Sequence, residues 1–492
     1  MKKLLVVLLS LILTPFALAV PQNKVLAKES NTLVIYSWED YLDLGYEEED
    51  LEDLSDSLSR FSSDELLTSL TDIFEEQNPG VTVEYRTFAT NEEMYNELIN
   101  NPDGPDLICP SEYMIMRMKD EGLIKSYKTP DSWKNYGSPY IKSEFSRLGL
   151  TDGEDKVYAT GYMWGTMGYI FNTANTLAEE LKNWDSILSE KFDKKVTIKD
   201  SIRDTYILAV GAVYEEELKE YALNLERGEI SSEYYAQKVA EIFNRTDDVT
   251  LQRVELFLKD LKPKLYGFEV DSGKNDMITG KIEVNFAWSG DAVYTIDEAE
   301  LAGLDFGYVV PEEGSNVWFD GWVMPNNANE DLAVKFIDFV SSSDNVIRNM
   351  EYIGYTSCMA QPEIFDYVLE NEEDGEEQID LGYFFKGLDY TGDDYIVTVG
   401  SKYGRLATQY PDFETIKRCT VMANFSGETL ENINDMWNRV KFITFPTWII
   451  WTIIGIIVCG LLAFLLIKFK DKIFVNVRNK KKWRVVKKEE IK

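Results

Sequence analysis

The strongest constraint on the fold is an alternation of strand and helix patterns across residues 31–113. Strand patterns at 33–36, 81–85 and 106–109, the second of them alternating, are separated by segments with helical spacing of apolar residues. Such alternation favours a parallel sheet with helices on both faces. We therefore predict an α/β protein, in which ligands bind beside the carboxyl ends of the strands.

Aromatic and polar residues follow two of these strand ends. Trp38, Glu39 and Tyr41 come directly after the first strand, and Ser111 and Tyr113 come after the third. Because the carboxyl ends of parallel strands meet at one edge of a sheet, these residues are candidate ligand contacts.

A third candidate is residues 317–322. If this stretch is extended, Trp318, Asp320 and Trp322 project from one face, since side chains two apart in a strand point the same way. A carboxylate beside aromatic rings attracts an ammonium group. Core packing is the alternative, because a chain with 11 Trp and 28 Tyr buries most of them.

The composition excludes several classes of function. The chain has 492 residues and no histidine, which removes Ser-His-Asp and Cys-His catalysis and HExxH metal sites. The net charge of −36 disfavours nucleic acid as a partner and favours cationic solutes. Neither a cofactor nor a metal site is predicted. Cys109, Cys358 and Cys419 show no spacing that selects a disulfide, so free thiols and one bridge both stay open.

Both termini carry targeting patterns. Residues 1–19 have two lysines, an apolar run and a small-residue cleavage signal, which predict a secretory signal peptide. Residues 442–467 hold no charge over 26 positions, which predicts one transmembrane helix. The basic residues in 468–492 predict a cytoplasmic C-terminus, with the folded body outside the cytoplasm.

Short motifs in a fixed order also resemble a known family, the spermidine/putrescine-binding proteins of bacterial ABC importers. They are Tyr36-Ser37-Trp38-Glu39-Asp40-Tyr41, Pro110-Ser111-Glu112-Tyr113, Met163-Trp164-Gly165-Thr166, Ser201-Ile202-Arg203-Asp204, Trp288-Ser289-Gly290, Trp318-Phe319-Asp320 and Ile353-Gly354-Tyr355-Thr356.

The resemblance implies a two-lobed periplasmic-binding-protein fold of type II, in which each lobe is a sheet flanked by helices. Lobe 1 is expected to contain residues 31–155, with an acidic insertion at about 44–65, and a return segment at 319–360. Lobe 2 is expected to contain residues 156–318 and a return segment at 361–441.

The resemblance also implies a ligand site between the lobes. Its rings would be Trp38, Tyr41, Tyr113, Trp288 and Trp318, with Ser111 as a polar contact and Asp320 and Asp204 as carboxylates. Glu39, Ser201 and Met422 depart from the family pattern, and Glu39 is a candidate to supply the charge that Ser201 lacks. Trp322 is assigned to packing within a lobe.

The implied function is capture of a polyamine and its delivery to an ABC permease and its ATPase. A receptor or sensor for another cationic amine is the alternative. An enzyme is disfavoured, because the sequence lacks histidine, metal-ligand clusters and a phosphate-binding glycine loop.

Overall fold

The computed structural model describes residues 31–48, 51, 56–370, 375–425, 427–442, 452, 455–465 and 468. The predicted signal peptide, residues 49–50 and 52–55 of the acidic insertion and nearly all of the basic tail lie outside the described residues. The predicted span 442–467 is described only in part, with residues 455–465 helical. Among the described residues, no helix is both long enough and apolar enough to cross a membrane.

The secondary structure alternates along the chain. The strands are β1 (Thr32–Trp38), β2 (Thr82–Phe88), β3 (Leu107–Ile108), β4 (Ile124–Lys125), β5 (Tyr127–Lys128), β6 (Lys156–Val157), β7 (Ala159–Asn172), β8 (Val196–Lys199), β9 (Gly267–Glu269), β10 (Val284–Trp288), β11 (Phe306–Val309), β12 (Val317–Pro325), β13 (Thr356–Ser357), β14 (Glu377–Asp380) and β15 (Ile396–Val399). The α-helices are α1 (Ser63–Leu67), α2 (Leu70–Gln77), α3 (Asn91–Asn100), α4 (Glu112–Asp120), α5 (Asp131–Tyr136), α6 (Pro139–Arg147), α7 (Ile202–Val213), α8 (Glu215–Glu226), α9 (Ser232–Phe243), α10 (Asp248–Leu261), α11 (Gly273–Ile278), α12 (Ser289–Leu301), α13 (Glu330–Val340), α14 (Ser343–Ile353), α15 (Pro362–Glu370), α16 (Gly382–Phe385), α17 (Arg405–Gln409), α18 (Phe413–Ile416) and α19 (Gly427–Lys441).

One continuous sheet runs through both halves of the body, in the order β2-β1-β3-β12-β7-β10-β8-β9. In lobe 1, β1 is parallel to β2 and β3, which confirms the predicted parallel arrangement. In lobe 2, β8 is parallel to β9 and β10. Because each pair is parallel, β1 and β3 end at one edge of the sheet, as do β8 and β10. The candidate binding residues lie at or just after these four strand ends.

The strand β1 shows why the first apolar run has no alternation with polar residues. Leu33 and Ile35 belong to one buried cluster, and Val34 and Tyr36 belong to another on the opposite face of the sheet. A strand that is covered on both faces must be apolar at every position.

Two long antiparallel strands join the lobes. The first part of β7 pairs with β12, and its second part pairs with β10 and β11. The β7–β12 register shifts between Asp320 and Gly321, which marks a bulge beside the predicted site. The two strands therefore form the connection about which the lobes are arranged.

The segment 361–441, which the sequence assigns to lobe 2, contacts both lobes. Helix α16 packs beside α6 of lobe 1, where Ser138 Oγ donates to Phe384 O over 2.6 Å. Farther along, α17 packs on α12, and α19 packs on α10 of lobe 2. The apolar pattern of these helices shows which face is buried but does not identify the lobe that covers it.

Candidate functional site

Asp320 lies at the centre of the candidate site. It is 6 % exposed, and its Oδ2 atom accepts a hydrogen bond of 2.6 Å from the Tyr41 hydroxyl. Its Oδ1 atom is buried and has no hydrogen-bond partner among the described residues. Burial raises the pKa of Asp320 to about 7 with a smaller contribution from the Glu112 charge, and the side chains of Tyr41 and Ser111 oppose this shift. A buried carboxyl group with one unused oxygen needs a proton or a cation.

Aromatic rings surround this carboxyl group. The Tyr355 ring lies edge-on to Tyr41, at 5.2 Å between centroids, and to Trp318, at 5.8 Å. The indole Nε1 of Trp318 donates to Thr166 O over 3.2 Å, which fixes the orientation of its ring. Tyr41, Trp318 and Tyr355 thus form an aromatic enclosure beside Asp320.

Tyr355 was not predicted as a site residue, although its motif contributes to the family resemblance. Helix α14 ends at Gly354, whose φ of +74° is a left-handed conformation that suits glycine. The chain turns there, so Tyr355 enters the enclosure before β13 begins. A glycine helix cap followed by a tyrosine is the sequence signal that could have identified it.

The turn after β1 separates the three residues predicted there. Trp38 is half-buried against Phe88, at 4.8 Å between ring centroids. Asp40 has a φ of +50°, which aspartate tolerates better than most residues, and the turn returns Tyr41 to the interior. Glu39 is exposed on this turn, and the described contacts of Asp320 do not include it.

Ser111 and Tyr113 follow β3, as predicted, but their surroundings differ. The backbone of Ser111 forms an antiparallel bridge with Asp320, and its hydroxyl accepts a bond of 3.2 Å from Asn91 Nδ2. The ring of Tyr113 is covered by the Arg203 guanidinium, whose Cζ lies 4.0 Å from the ring centroid. Ser111 is therefore adjacent to the carboxyl group, and one face of Tyr113 is already occupied.

Lobe 2 contributes Asp204 and Trp288. Asp204 lies in the first turn of α7 and is 8 % exposed. Burial raises its pKa, while the Ser201 hydroxyl, nearby cations and the Trp288 indole oppose the shift. Trp288 ends β10 and is half-buried. These residues form a second group containing a carboxyl and a ring.

A buried lysine lies beneath that second group. Lys199 Nζ is 4.3 Å from the Trp288 ring centroid and pairs with Glu269 at 3.0 Å and with Asp291 at 2.9 Å. Asp291 also accepts a bond of 3.1 Å from the Tyr355 hydroxyl. Glu269 and Asp291 are therefore already paired with Lys199 and are not available to pair with a ligand.

Trp322, two residues beyond Asp320, is fully buried. Its ring lies 4.6 Å from that of Tyr162 and 6.1 Å from that of Phe336. Phe336 belongs to α13, so this indole packs β12 against a lobe 1 helix. Of the two tryptophans that flank Asp320, Trp318 is the one that contacts the enclosure.

The chemistry of this arrangement suits an organic cation. A carboxyl group with an unused oxygen can accept an ammonium, and the flat rings around it can contact both the ammonium and methylene groups. Within the described part of the chain, no group of three or more Cys, Asp and Glu converges as a metal site would require. Cys109, Cys358 and Cys419 are free thiols.

Comparison with known proteins identifies the family. Residues 69–361 match the bacterial extracellular solute-binding proteins. The chain belongs to this family. A protein of this family binds a solute and does not convert it. The prediction of a solute-binding protein rather than an enzyme is therefore confirmed.

Relatives of this solute-binding protein include the spermidine/putrescine-binding periplasmic protein of Salmonella typhimurium. That protein is 24% identical over 341 residues, covering 69% of this chain and 81% of the relative. The putrescine-binding periplasmic protein PotF of Escherichia coli is 27% identical over 360 residues, covering 70% of this chain and 83% of PotF.

A solved structure shows the same fold. The spermidine/putrescine ABC transporter substrate-binding protein PotD of Streptococcus pneumoniae superposes with a TM-score of 0.54 at 23% identity. The match covers 84% of this chain and 99% of PotD. The predicted two-lobed α/β fold is therefore confirmed.

Proposed function

We propose that this solute-binding protein captures a linear polyamine, spermidine or putrescine, between its lobes. The observation that carries the proposal is the buried, unused Oδ1 of Asp320 beside Tyr41, Trp318 and Tyr355. An ammonium group would pair with the carboxylate, and the methylene chain would lie against the rings. The relatives whose names include spermidine or putrescine support this ligand class.

The proposal divides the predicted residues by location. Tyr41, Ser111, Trp318 and Asp320, joined by Tyr355, would hold one end of the ligand. Asp204 and Trp288 would hold the other end from lobe 2. Trp38 and Glu39 would lie at the mouth of the site, where Glu39 attracts cations without being buried.

A thermal-shift screen tests the ligand class. Putrescine, spermidine, arginine, choline and glucose would each be added to the purified chain in detergent. A ligand at 100 times its Kd stabilises the folded state by about 2.7 kcal/mol, so a polyamine should raise the melting temperature. A shift with choline or arginine alone would instead assign another cationic amine, and glucose should give no shift.

We further propose that the protein delivers its ligand to an ABC permease and its ATPase from the outer face of the membrane. The signal peptide 1–19 would export the body, residues 442–467 would anchor it, and the basic tail 468–492 would lie in the cytoplasm. The uncharged sequence of the span and the eleven Lys and Arg residues after it support this topology.

Protease protection tests the anchor. Trypsin added to intact cells should remove the body and leave a small fragment that contains Trp483, whereas lysed cells should lose the fragment as well. Digestion of Trp483 in intact cells would contradict a cytoplasmic tail.

A further inference from the structure

Arg203 and Glu112 form a buried ion pair across the two lobes. Arg203 lies in the first turn of α7 in lobe 2, Glu112 is the first residue of α4 in lobe 1, and Arg203 Nη2 lies 3.0 Å from Glu112 Oε1. The Glu112 side chain is 2 % exposed and that of Arg203 is 16 % exposed. Breaking a pair this deeply buried would leave a carboxylate without its partner.

Each partner is held in place by its own lobe. On lobe 2, the guanidinium donates to Met422 O and Ala423 O, at 3.0 Å each. Ala423 N in turn donates to Asn244 Oδ1 over 2.6 Å. On lobe 1, the other Glu112 oxygen accepts a bond of 3.3 Å from Phe319 N in β12. Each charged side chain is thus also held by hydrogen bonds to backbone atoms other than its partner.

The same guanidinium covers an aromatic ring on lobe 1. Its Cζ lies 4.0 Å from the centroid of Tyr113, and the Tyr113 hydroxyl donates to Glu92 over 3.0 Å. A guanidinium is planar and weakly hydrated, so it can pair with a carboxylate and stack on a ring at the same time. Arg203 therefore contacts lobe 1 in two ways.

We propose that Arg203 is a positioning residue that holds the lobes closed over the ligand by contacting Glu112 and Tyr113 on lobe 1. These three residues are called the latch. Tyr113 then belongs to this latch and not to the wall that contacts the ligand. The latch rests on the proposed function, since it sets how long a captured amine is retained. Hinge closure stabilised by contacts outside the ligand site changes dissociation more than association.

The Arg203–Glu112 contact also lies close to the Asp320 carboxyl group. Glu112 is two residues after Pro110, whose carbonyl oxygen accepts a bond of 3.1 Å from Gly321 N, next to Asp320. Phe319, whose amide contacts Glu112, precedes Asp320 in β12. A change in the latch can therefore be transmitted to the site through one strand.

The test measures dissociation of radiolabelled putrescine and spermidine from the full chain in detergent. Glu112→Gln and Arg203→Gln should each raise koff by about tenfold or more while kon changes less than about threefold. The double variant should dissociate no faster than the worse single variant, because both changes break one contact. Glu217→Gln is the matched control, since Glu217 pairs with Arg245 at 2.6 Å within lobe 2.

Values of koff within twofold of the wild type in both single variants would overturn the latch. An equal rise in the Glu217→Gln control would overturn it as well. Tyr113→Leu tests whether that ring contacts Arg203 or the ligand. In the Arg203→Gln background it should raise koff no further. A further rise in koff in that background would show that Tyr113 contacts the ligand and would remove it from the latch.

A readout without ligand separates this proposal from the proposed function. Small-angle scattering of the ligand-free chain should show a larger radius of gyration for Arg203→Gln than for the wild type and for Glu217→Gln. If no polyamine binds the wild type, the ligand class is wrong, and the scattering comparison still decides the latch. Equal radii in all three proteins would contradict it.

Discussion

Asp320 determines the electrostatics of the site because it is buried without a full set of partners. Its pKa is raised to about 7 by burial, so the carboxyl group is partly protonated at neutral pH in the absence of a cation. Glu313, also buried, has its pKa raised to about 7 by burial. Both groups bind protons more tightly in the folded chain than in the unfolded chain.

These shifts predict that the ligand-free protein is stabilised by mild acid. Between about pH 4 and pH 7 the folded state holds protons that the unfolded state has released, so the free energy of unfolding falls as pH rises through this range. Thermal melts from pH 5 to pH 8 would measure the trend. Asp320→Asn should make stability depend less steeply on pH, because it removes one of the two groups with a raised pKa. An unchanged dependence of stability on pH in that variant would contradict the assignment.

The same substitution should have the opposite effect on binding. Asp320→Asn removes the charge that an ammonium needs, so polyamine affinity should fall by about a hundredfold or more, as for one partner of a buried ion pair. At pH 8 the ligand-free variant should be at least as stable as the wild type. Calorimetry and thermal melts on one preparation would check both, and full affinity in the variant would remove Asp320 from the site.

The sequence predicts which residues lie near Asp320 better than it predicts their mutual contacts. Trp318 and Asp320 could be identified because strand periodicity and adjacent charge are local signals. Tyr355 and Arg203 lie in the motifs that support the resemblance, but their roles depend on contacts with residues far away in sequence. Glu39 has the right chemistry, yet the turn at Asp40 leaves it exposed.

At the scale of elements, the pairing of β7 with β12 positions Trp318 and Asp320 of the candidate site. Gly165 in β7 lies opposite Trp318 in β12, and the missing side chain leaves room for the indole. A Cβ at Gly165 would approach Trp318 Cζ2 to 2.6 Å and Ser289 Oγ to 2.2 Å. The close approach of these two elements therefore requires glycine.

Gly165→Ala should destabilise the protein by about 1 to 3 kcal/mol, as expected when a packed contact must shift. It should also weaken polyamine binding, because the displaced ring is Trp318. Gly267→Ala in β9 is the control, since no atom lies within 4 Å of the new Cβ. Chemical denaturation and calorimetry would compare the two, and equal effects would contradict this packing argument.

The sequence also predicts some elements better than others. The parallel strands of lobe 1 follow from local alternation, and the structure confirms them. The antiparallel pairing of β7 with β12 joins residues about 150 positions apart, for example Trp318 with Gly165, and no local pattern specifies it. For the same reason the lobe contacts of 361–441 could not be read from apolar periodicity.

At the scale of the whole molecule, the contacts between the lobes include the Arg203–Glu112 ion pair and the Tyr355–Asp291 hydrogen bond. In the proposed site, Asp320 with its rings and Asp204 with Trp288 would supply the groups for a ligand, whereas Arg203 with Glu112 joins the lobes directly. The net charge of −36 favours the approach of cations to this cleft. The proposed closure of the two lobes on a cation would account for the distribution of these groups over both lobes.

Proton release on binding tests this account most directly. Titration calorimetry with putrescine and spermidine at pH 7, in two buffers of different ionisation enthalpy, gives the number of protons released per ligand. Because burial raises the pKa of Asp320 to about 7, pairing of its carboxylate with an ammonium should release protons. Binding heat that does not depend on the buffer, or no heat with either polyamine, would contradict the account.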